Sequence, residues 1–171
     1  MHPDTLLHNI QSLLGEKVTE VVQLYDILTI ETTKEQFLEV IEILHKDPLF
    51  NFHFLTDICG VHIPDNDSDN QLAVVYHLHN MISNTRIRVK VFLSINNPTI
   101  PTLTNKYAAA NWMERETYDF FGIKFDGHPN LTRILNMDEM TVFPLRKEYP
   151  LEDAGRTDKD DRFFGRTIHN A

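Results

Sequence analysis

Leu72-Ala73-Val74-Val75-Tyr76-His77-Leu78-His79-Asn80 and Thr85-Arg86-Ile87-Arg88-Val89-Lys90-Val91-Phe92-Leu93-Ser94-Ile95 carry the plainest periodicity in the chain. Leu72, Val74, Tyr76 and Leu78 recur at every second residue, as do Ile87, Val89, Val91, Leu93 and Ile95. A period of two puts each set on one face of a pleated strand. Arg86, Arg88 and Lys90 take alternate positions in the second strand. The sheet therefore has one buried face and one polar face, which is solvated or covered by a partner. The connector around Asn80–Thr85 predicts an antiparallel hairpin.

Upstream, residues 4–14 read as a short amphipathic helix. Asp4 or Thr5 caps it, Leu6, Leu7, Ile10, Leu13 and Leu14 form its stripe, and Gly15 stops it. Residues 18–31 read as one long strand or two short ones. Thr33-Lys34-Glu35-Gln36 fits a capping box, with Thr32 to Glu35 as the alternative register. The helix it opens carries Phe37, Val40, Ile41 and Leu44, and Asp47-Pro48 ends it. Residues 49–58 alternate aromatically and predict a strand, with Phe50, Phe52 and Phe54 on one face and Gly60 closing it. Residues 64–70 form an acidic turn-rich loop.

Downstream, Asn97-Pro98-Thr99-Ile100-Pro101 is a rigid connector. Residues 104–121 predict the longest helix, stopped by Gly122. Residues 123–151 hold Pro129, Pro144 and Pro150 and no sustained period. Residues 152–171 mix charges around Phe163, Phe164 and Ile168 and cannot bury themselves. The expected division is an α/β core at 1–122, a docking segment at 123–151 and an extended C-terminal arm at 152–171. The fold class is α+β (α/β), a mixed sheet of four to five strands with helices packed on one face.

The 171 residues, 42% of them hydrophobic, exclude a disordered or fibrous chain. A formal net charge of −9 disfavours nucleic acid and anionic membrane surfaces. No basic run exceeds Arg146-Lys147. No window approaches the roughly 20 apolar residues of a membrane span, and the start lacks the look of a targeting segment. Cys59 is the one cysteine. No disulfide, thiolate-held iron–sulfur cluster or zinc site is expected from this chain alone, and the pattern suits a reducing cytosol.

Asp65, Asp67 and Asp69 begin like a calcium loop, but Asn70 and Tyr76 stand where glycine and glutamate are needed. A solvated turn is expected there. His77 and His79 share a strand face and read as polar-face histidines. They form a metal pair only if another strand supplies further ligands. Cys59 reads as a small buried hydrophobe. No phosphate loop, dinucleotide fingerprint or nucleophile elbow is present.

The unusual stretch is Trp112-Met113-Glu114-Arg115-Glu116-Thr117-Tyr118-Asp119-Phe120-Phe121-Gly122. On a helix, Glu114, Tyr118 and Phe121 share a face, and Arg115 and Asp119 share another. Carboxylates near a helix C-terminus face the wrong end of its dipole, so cationic partners are expected. Glu114 and Glu116 are predicted to pair with Arg133 or Arg146. Gly127-His128-Pro129-Asn130-Leu131-Thr132-Arg133-Ile134-Leu135 and Pro144-Leu145-Arg146-Lys147-Glu148-Tyr149-Pro150-Leu151 pin the backbone with proline and display arginine. Both read as docking segments.

These three stretches, in this order, resemble the 30-kDa subunit family of respiratory complex I, the C-type subunits of bacterial NADH:quinone oxidoreductase. The residues that carry the resemblance are Glu114, Arg115, Glu116, Asp119, His128, Arg133, Arg146, Lys147, Tyr149 and Pro150. Thr132 stands where the family has a basic residue, and Val142-Phe143 where it often has glycine-histidine. The resemblance implies a soluble peripheral-arm component of a proton-translocating enzyme, on the cytoplasmic side of the bacterial inner membrane. It implies no catalytic residue, cofactor or metal in this chain, with FMN, iron–sulfur clusters and quinone held by partners. The implied neighbour is the D-type homologue that helps form the quinone pocket, and no fusion to it is expected. Two other readings stand beside it: the related module of a membrane-bound hydrogenase, and a free-standing hydrolase using Glu114 and Glu116.

Overall fold

A computed structural model describes residues 3–25, 27–66 and 69–149. The predicted arm at 152–171 and the signature residue Pro150 lie outside the described residues. In chain order the elements are α1 (Pro3–Leu14), a 3-10 turn (Gly15–Lys17), β1 (Glu20–Leu24), β2 (Ile27–Thr32) and α2 (Lys34–Lys46). There follow β3 (Phe54–His62), β4 (Leu72–Asn80), β5 (Thr85–Leu93), β6 (Thr99–Pro101), α3 (Ala110–Phe121) and β7 (Lys124–Asp126). The architecture is the α+β arrangement expected.

Five strands form a mixed sheet in the order β1-β2-β5-β4-β3. The β4–β5 hairpin is its antiparallel centre, with Tyr76 opposite Val89 and Leu78 opposite Ile87. Within this sheet, only the β2–β5 pair is parallel. The hairpin turn is held by Asn80, whose side-chain oxygen accepts from the Ile82 and Ser83 amides. Leu28, Ile30, Leu55, Ile58, Leu72, Val74, Tyr76, Leu78, Ile87, Val89, Val91 and Leu93 turn one sheet face inward. Leu6, Ile10 and Leu14 of α1 and Phe37, Val40, Ile41 and Leu44 of α2 join the same core. Phe37 packs against Tyr76 with ring centroids 4.8 Å apart.

The 18–31 segment resolves into two strands because Tyr25 takes a left-handed φ of 51° and turns the chain. Thr33 is the cap of α2, accepting from the Gln36 amide at 3.4 Å. Leu13, placed on the α1 stripe by spacing, is 40% exposed.

Element boundaries differ from expectation in two regions. Phe50 and Phe52 are buried and stacked, but they precede the strand, and Phe54 is 49% exposed. The cause is the exit from α2: Asp47 O accepts from the Phe50 and Asn51 amides, Leu44 O accepts from Phe52, and Asn51 has φ 51°. That turn occupies the backbone a strand would need. Gly60 does not close β3 but sits within it. The predicted helix 104–121 begins only at Ala110, so α2, with 13 residues, is the longest described. Residues 102–107 instead form hydrogen-bonded turns, with Leu103 O accepting from the Lys106 and Tyr107 amides.

Gly60 is required by packing rather than by backbone angle. A Cβ there would lie 2.5 Å from a ring carbon of Phe121, on the last turn of α3. Overpacking of this kind costs about 1–3 kcal/mol. Gly60→Val is expected to lower the unfolding free energy by about that amount in urea titration. Phe121→Leu should recover part of the loss. An unchanged midpoint in Gly60→Val would show that α3 is not pressed against β3 here.

Candidate functional site

Helix α3 ends at Gly122, which takes φ 74° and donates its amide to Tyr118 O at 2.8 Å. An α-helix leaves its last four carbonyls without intrahelical partners. Here those carbonyls belong to Tyr118, Asp119, Phe120 and Phe121, and every one is satisfied by the chain that follows. Arg133 Nη1 donates to Asp119 O at 2.9 Å, the Leu145 amide to Phe120 O at 3.2 Å, and Arg146 Nε to Phe121 O at 2.7 Å. Two guanidinium groups at this end also complement the helix dipole. The segment after α3 is therefore a strap folded back over the helix terminus.

Asp119 is the hub of the strap. Its Oδ1 accepts from Arg133 Nη1 at 2.7 Å and Asn136 Nδ2 at 3.1 Å. Its Oδ2 accepts from the amides of Ile134, Leu135 and Asn136 at 3.1, 2.8 and 2.9 Å. The side chain is fully buried, and that of Arg133 is 9% exposed. Burial opposes ionisation of Asp119. The Asn136 and Leu135 amides, the Arg133 guanidinium and the Asn136 side chain outweigh it and hold the carboxyl well below the usual range. Arg133 Nη2 also donates to Met140 O at 2.8 Å and Val142 O at 3.2 Å. Phe143 lies between the two cations, 5.1 Å from Arg133 Cζ and 4.9 Å from that of Arg146. A Cβ at Gly122 would collide with the same ring. The departure Val142-Phe143 is thus built into the strap.

The start of α3 is tied to the same segment. Arg115 donates to Thr132 O at 3.1 Å, Thr132 Oγ1 at 3.0 Å and Arg133 O at 3.3 Å, and it lies 4.9 Å from the Trp112 ring. Thr132, the other departure, supplies an acceptor there. His128 Nδ1 accepts the Asn130 amide at 3.0 Å, which leaves Nε2–H to donate to Asn111 O at 3.1 Å. The Lys147 amide donates to Nδ1 of the buried His62 at 2.8 Å. Arg146 Nη1 is 3.9 Å from Glu148, and the Tyr149 amide donates to Arg146 O at 3.1 Å.

The expected pairing of Glu114 with an arginine is wrong. Glu114 is fully buried, and its carboxylate holds the turn before α3. Oε2 accepts from Thr102 Oγ1 at 2.5 Å and Oε1 from the Leu103 amide at 2.7 Å. Burial raises its pKa to about 7, against the lowering effect of the Leu103 and Thr102 hydrogen bonds. The reason is the spacing of the helix. Asp119 is the carboxylate that points to the C-terminal end, where Arg133 and Arg146 gather, whereas Glu114 lies in the first half and points into the core. Glu116 is exposed beside Asp57, Cys59 and Leu145. Arg115 and Asp119, one turn apart, bind different parts of the strap rather than each other.

The signature thus joins Glu114, Arg115, Asp119, His128, Arg133 and Arg146 through one helix and its strap, while Lys147 and Tyr149 enter by their backbone amides. Sequence reasoning missed Thr102, Asn136 and Phe143. Each acts through position, and only Asn136, three residues beyond Arg133, carries a local signal as a turn residue.

Residues 30–155 match the family described as respiratory-chain NADH dehydrogenase, 30 Kd subunit. A protein of Mycolicibacterium gilvum, named as a C-type NADH-quinone oxidoreductase subunit, is 43% identical over 136 residues, which cover 80% of this chain and 60% of that protein. Its namesake in Roseiflexus castenholzii is 36% identical over 162 residues, covering 94% of this chain and 92% of that one. The chain spans 60%, 64% and 49% of the length of three actinobacterial relatives it matches. A solved trypsin-resistant fragment of Nqo5 superposes with a TM-score of 0.63 at 29% identity, over 77% of this chain and all of that one. The fold is also shared, at TM-score 0.73 and 24% identity, with a chain in an archaeal membrane-bound sulfane sulfur reductase, over 92% of this chain and 95% of that one. With 126 consecutive positions matched, among them all the residues that cap and strap α3, this chain belongs to the respiratory-chain NADH dehydrogenase 30 kDa subunit family.

Proposed function

We propose that this chain is a peripheral-arm component of a proton-translocating NADH:quinone oxidoreductase, with a structural role and no redox centre of its own. It sits beside the D-type homologue that helps form the quinone pocket, on the cytoplasmic side of the bacterial inner membrane. FMN and iron–sulfur clusters belong to its partners. The observation that carries the structural role is the closed state of the signature: Asp119 takes five hydrogen bonds from its own chain. Both oxygens of Glu114 are bonded and buried. A carboxylate spent on backbone amides positions the chain and does not meet a substrate, which argues against the hydrolase reading. One cysteine supports the absence of a cluster of the usual four thiolates. Leu135, Met137 and Leu145 are exposed along the strap and Trp112 beside it on α3, an apolar display suited to a partner. No helix among the described residues is long and apolar enough to cross a membrane, so attachment is proposed to run through that partner.

Affinity purification of the tagged chain from native membranes tests this. The D-type homologue, NADH-dehydrogenase subunits and antiporter-like subunits are expected to co-purify with NADH:quinone reductase activity. Flavin and cluster absorbance should appear in the complex and be missing from the isolated chain. Recovery with a nickel hydrogenase large subunit, or recovery alone, would overturn the proposal.

A further inference from the structure

The open face of the sheet brings together three donors that the sequence keeps apart. Strand β3 carries a bulge between Leu55 and Asp57: Leu55 stands opposite Leu78, and Asp57 opposite His77. The extra residue, Thr56, reverses the alternation. Leu55 faces the core while Asp57, and Cys59 two residues on, join His77 on the polar face. A carboxylate oxygen, the Cys59 sulfur and a His77 ring nitrogen all lie within 4.8 Å of one another. His77 Nδ1 is 4.0 Å from Asp57 Oδ2. That nitrogen is shielded from solvent and has no hydrogen-bond partner among the described residues. Cys59 Sγ makes a long contact of 3.8 Å with Val75 O.

We infer that Asp57, Cys59 and His77 form a mononuclear site for a borderline-soft divalent ion of the zinc class, with its fourth position open to solvent. A sulfur donor disfavours magnesium and calcium, while thiolate, imidazole and carboxylate together suit zinc. Three protein ligands are the number found where a fourth position is exchangeable. Bonds of about 2.0–2.3 Å place tetrahedral donors about 3.3–3.8 Å apart. The Asp57 side chain, 55% exposed, has room to move closer to His77 than its present 4.0 Å. Carboxylate and thiolate neutralise the ion. The thiol proton leaves to solvent as the metal–sulfur bond forms. Without metal, burial and the neighbouring Asp57 carboxylate hold the Cys59 thiol above its ordinary pKa, with Arg88, directly across β4–β5 from His77, opposing them, so the ion itself must displace the thiol proton. Burial keeps the imidazole neutral and able to ligate, with Arg88 acting in the same direction and Asp57 against it.

This differs from the expectation that one cysteine builds no zinc site. It also separates the histidine pair. His79 is buried and bonded to Asn84 Oδ1 at 3.0 Å, whereas His77 faces the donors of the neighbouring strand. The inference rests on strand register and not on membership of the respiratory complex. Zinc is redox-silent, so it adds no electron-transfer centre.

The test uses the purified, reduced full chain with zinc alone, titrated against a chromophoric chelator. One equivalent is expected to bind with micromolar affinity or tighter, releasing a proton. Cobalt substitution should produce a thiolate-to-metal charge-transfer band. Loss of an outer partner of a metal site costs about 10–100-fold, so Cys59→Ser and His77→Ala should each weaken binding by more than about 100-fold. Both variants should keep the wild-type circular dichroism spectrum. His53→Ala, which alters the separate His45–His53 pair at 3.2 Å, should leave binding unchanged. No binding by the wild type, a cobalt complex without the thiolate band, or affinity that survives Cys59→Ser would overturn the proposal.

Discussion

Asp119→Ala is expected to lower the unfolding free energy by at least about 3–5 kcal/mol, the cost of removing one partner from a buried ion pair. Arg133 keeps its bonds to the Asp119, Met140 and Val142 carbonyls but loses its counter-charge. The Ile134, Leu135 and Asn136 amides lose their shared acceptor at the same time, and each unmade bond adds its own penalty if it stays buried. The strap should then release from α3 before the sheet unfolds. Limited proteolysis would read this as new cleavage within 128–149 at denaturant concentrations where β4 and β5 remain protected. Arg133→Ala should have a smaller effect than Asp119→Ala, because the three amides keep their acceptor. A double-mutant cycle of the two positions isolates the pair. The Asp119 contribution is present at neutral pH and fades as the pH falls below the ordinary aspartate value of 3.8, since the folded-state pKa lies lower still. Equal midpoints for wild type and Asp119→Ala would show that Asp119 does not hold the strap.

Glu114 has the opposite pH signature. Its folded-state pKa of about 7 stands above the ordinary 4.5. Between these values the folded chain holds a proton that the unfolded chain has released, so stability falls as the pH rises through that window. The contribution is complete below about pH 4.5 and lost above about pH 7. The shift corresponds to about 3 kcal/mol. Glu114→Gln abolishes this titration while keeping an acceptor for the Leu103 amide. A salt-bridged glutamate would make that substitution damaging at neutral pH. Here the variant should gain on the wild type as the pH rises from about 5 to 8, by up to about 3 kcal/mol. Urea titrations at pH steps across this range would show diverging stabilities. Parallel curves would mean that Glu114 stays charged in the folded chain.

The proposed zinc site uses side chains of β3 and β4 on the sheet face opposite the core, and none of its three ligands takes part in the hydrogen bonds that hold the strap. Loss of either is therefore measurable without the other. A chain that assembles normally but binds no zinc would refute the site alone. A chain that binds zinc but never joins a reductase would refute the proposed function alone.

The strands that define the sheet were legible because each has a period-two pattern with one unbroken apolar face, and no other element accommodates Ile87, Val89, Val91 and Leu93 on one side. Helix α2 was legible for the same reason at period 3.6, with its cap at Thr33. The aromatic run at 50–54 misled because alternation alone does not reveal a turn whose carbonyls, Leu44 O and Asp47 O, come from the end of the preceding helix. The start of α3 misled because propensity continues through Ala108–Ala110, while a buried glutamate anchors the preceding turn at Leu103. The signature was visible as residue types in order, but its pairing was not. Glu114 and Asp119 are both carboxylates near arginines in sequence, and only the packed helix shows which reaches them.

The sequence alone determined the α+β class, the polar and apolar faces of the sheet, and the family resemblance carried by residues 112–151. These depend on short-range periodicity and on residue order, which survive without knowledge of contacts. Tertiary structure alone decided that Asp119 takes the arginine and that Glu114 closes a turn. It also decided that Gly60 makes room for Phe121, and that Asp57, Cys59 and His77 meet. Each of these depends on distances between segments far apart in the chain. The β-bulge at Thr56 and the fold-back of residues 128–149 set those distances, and neither has a local signature strong enough to be read beforehand.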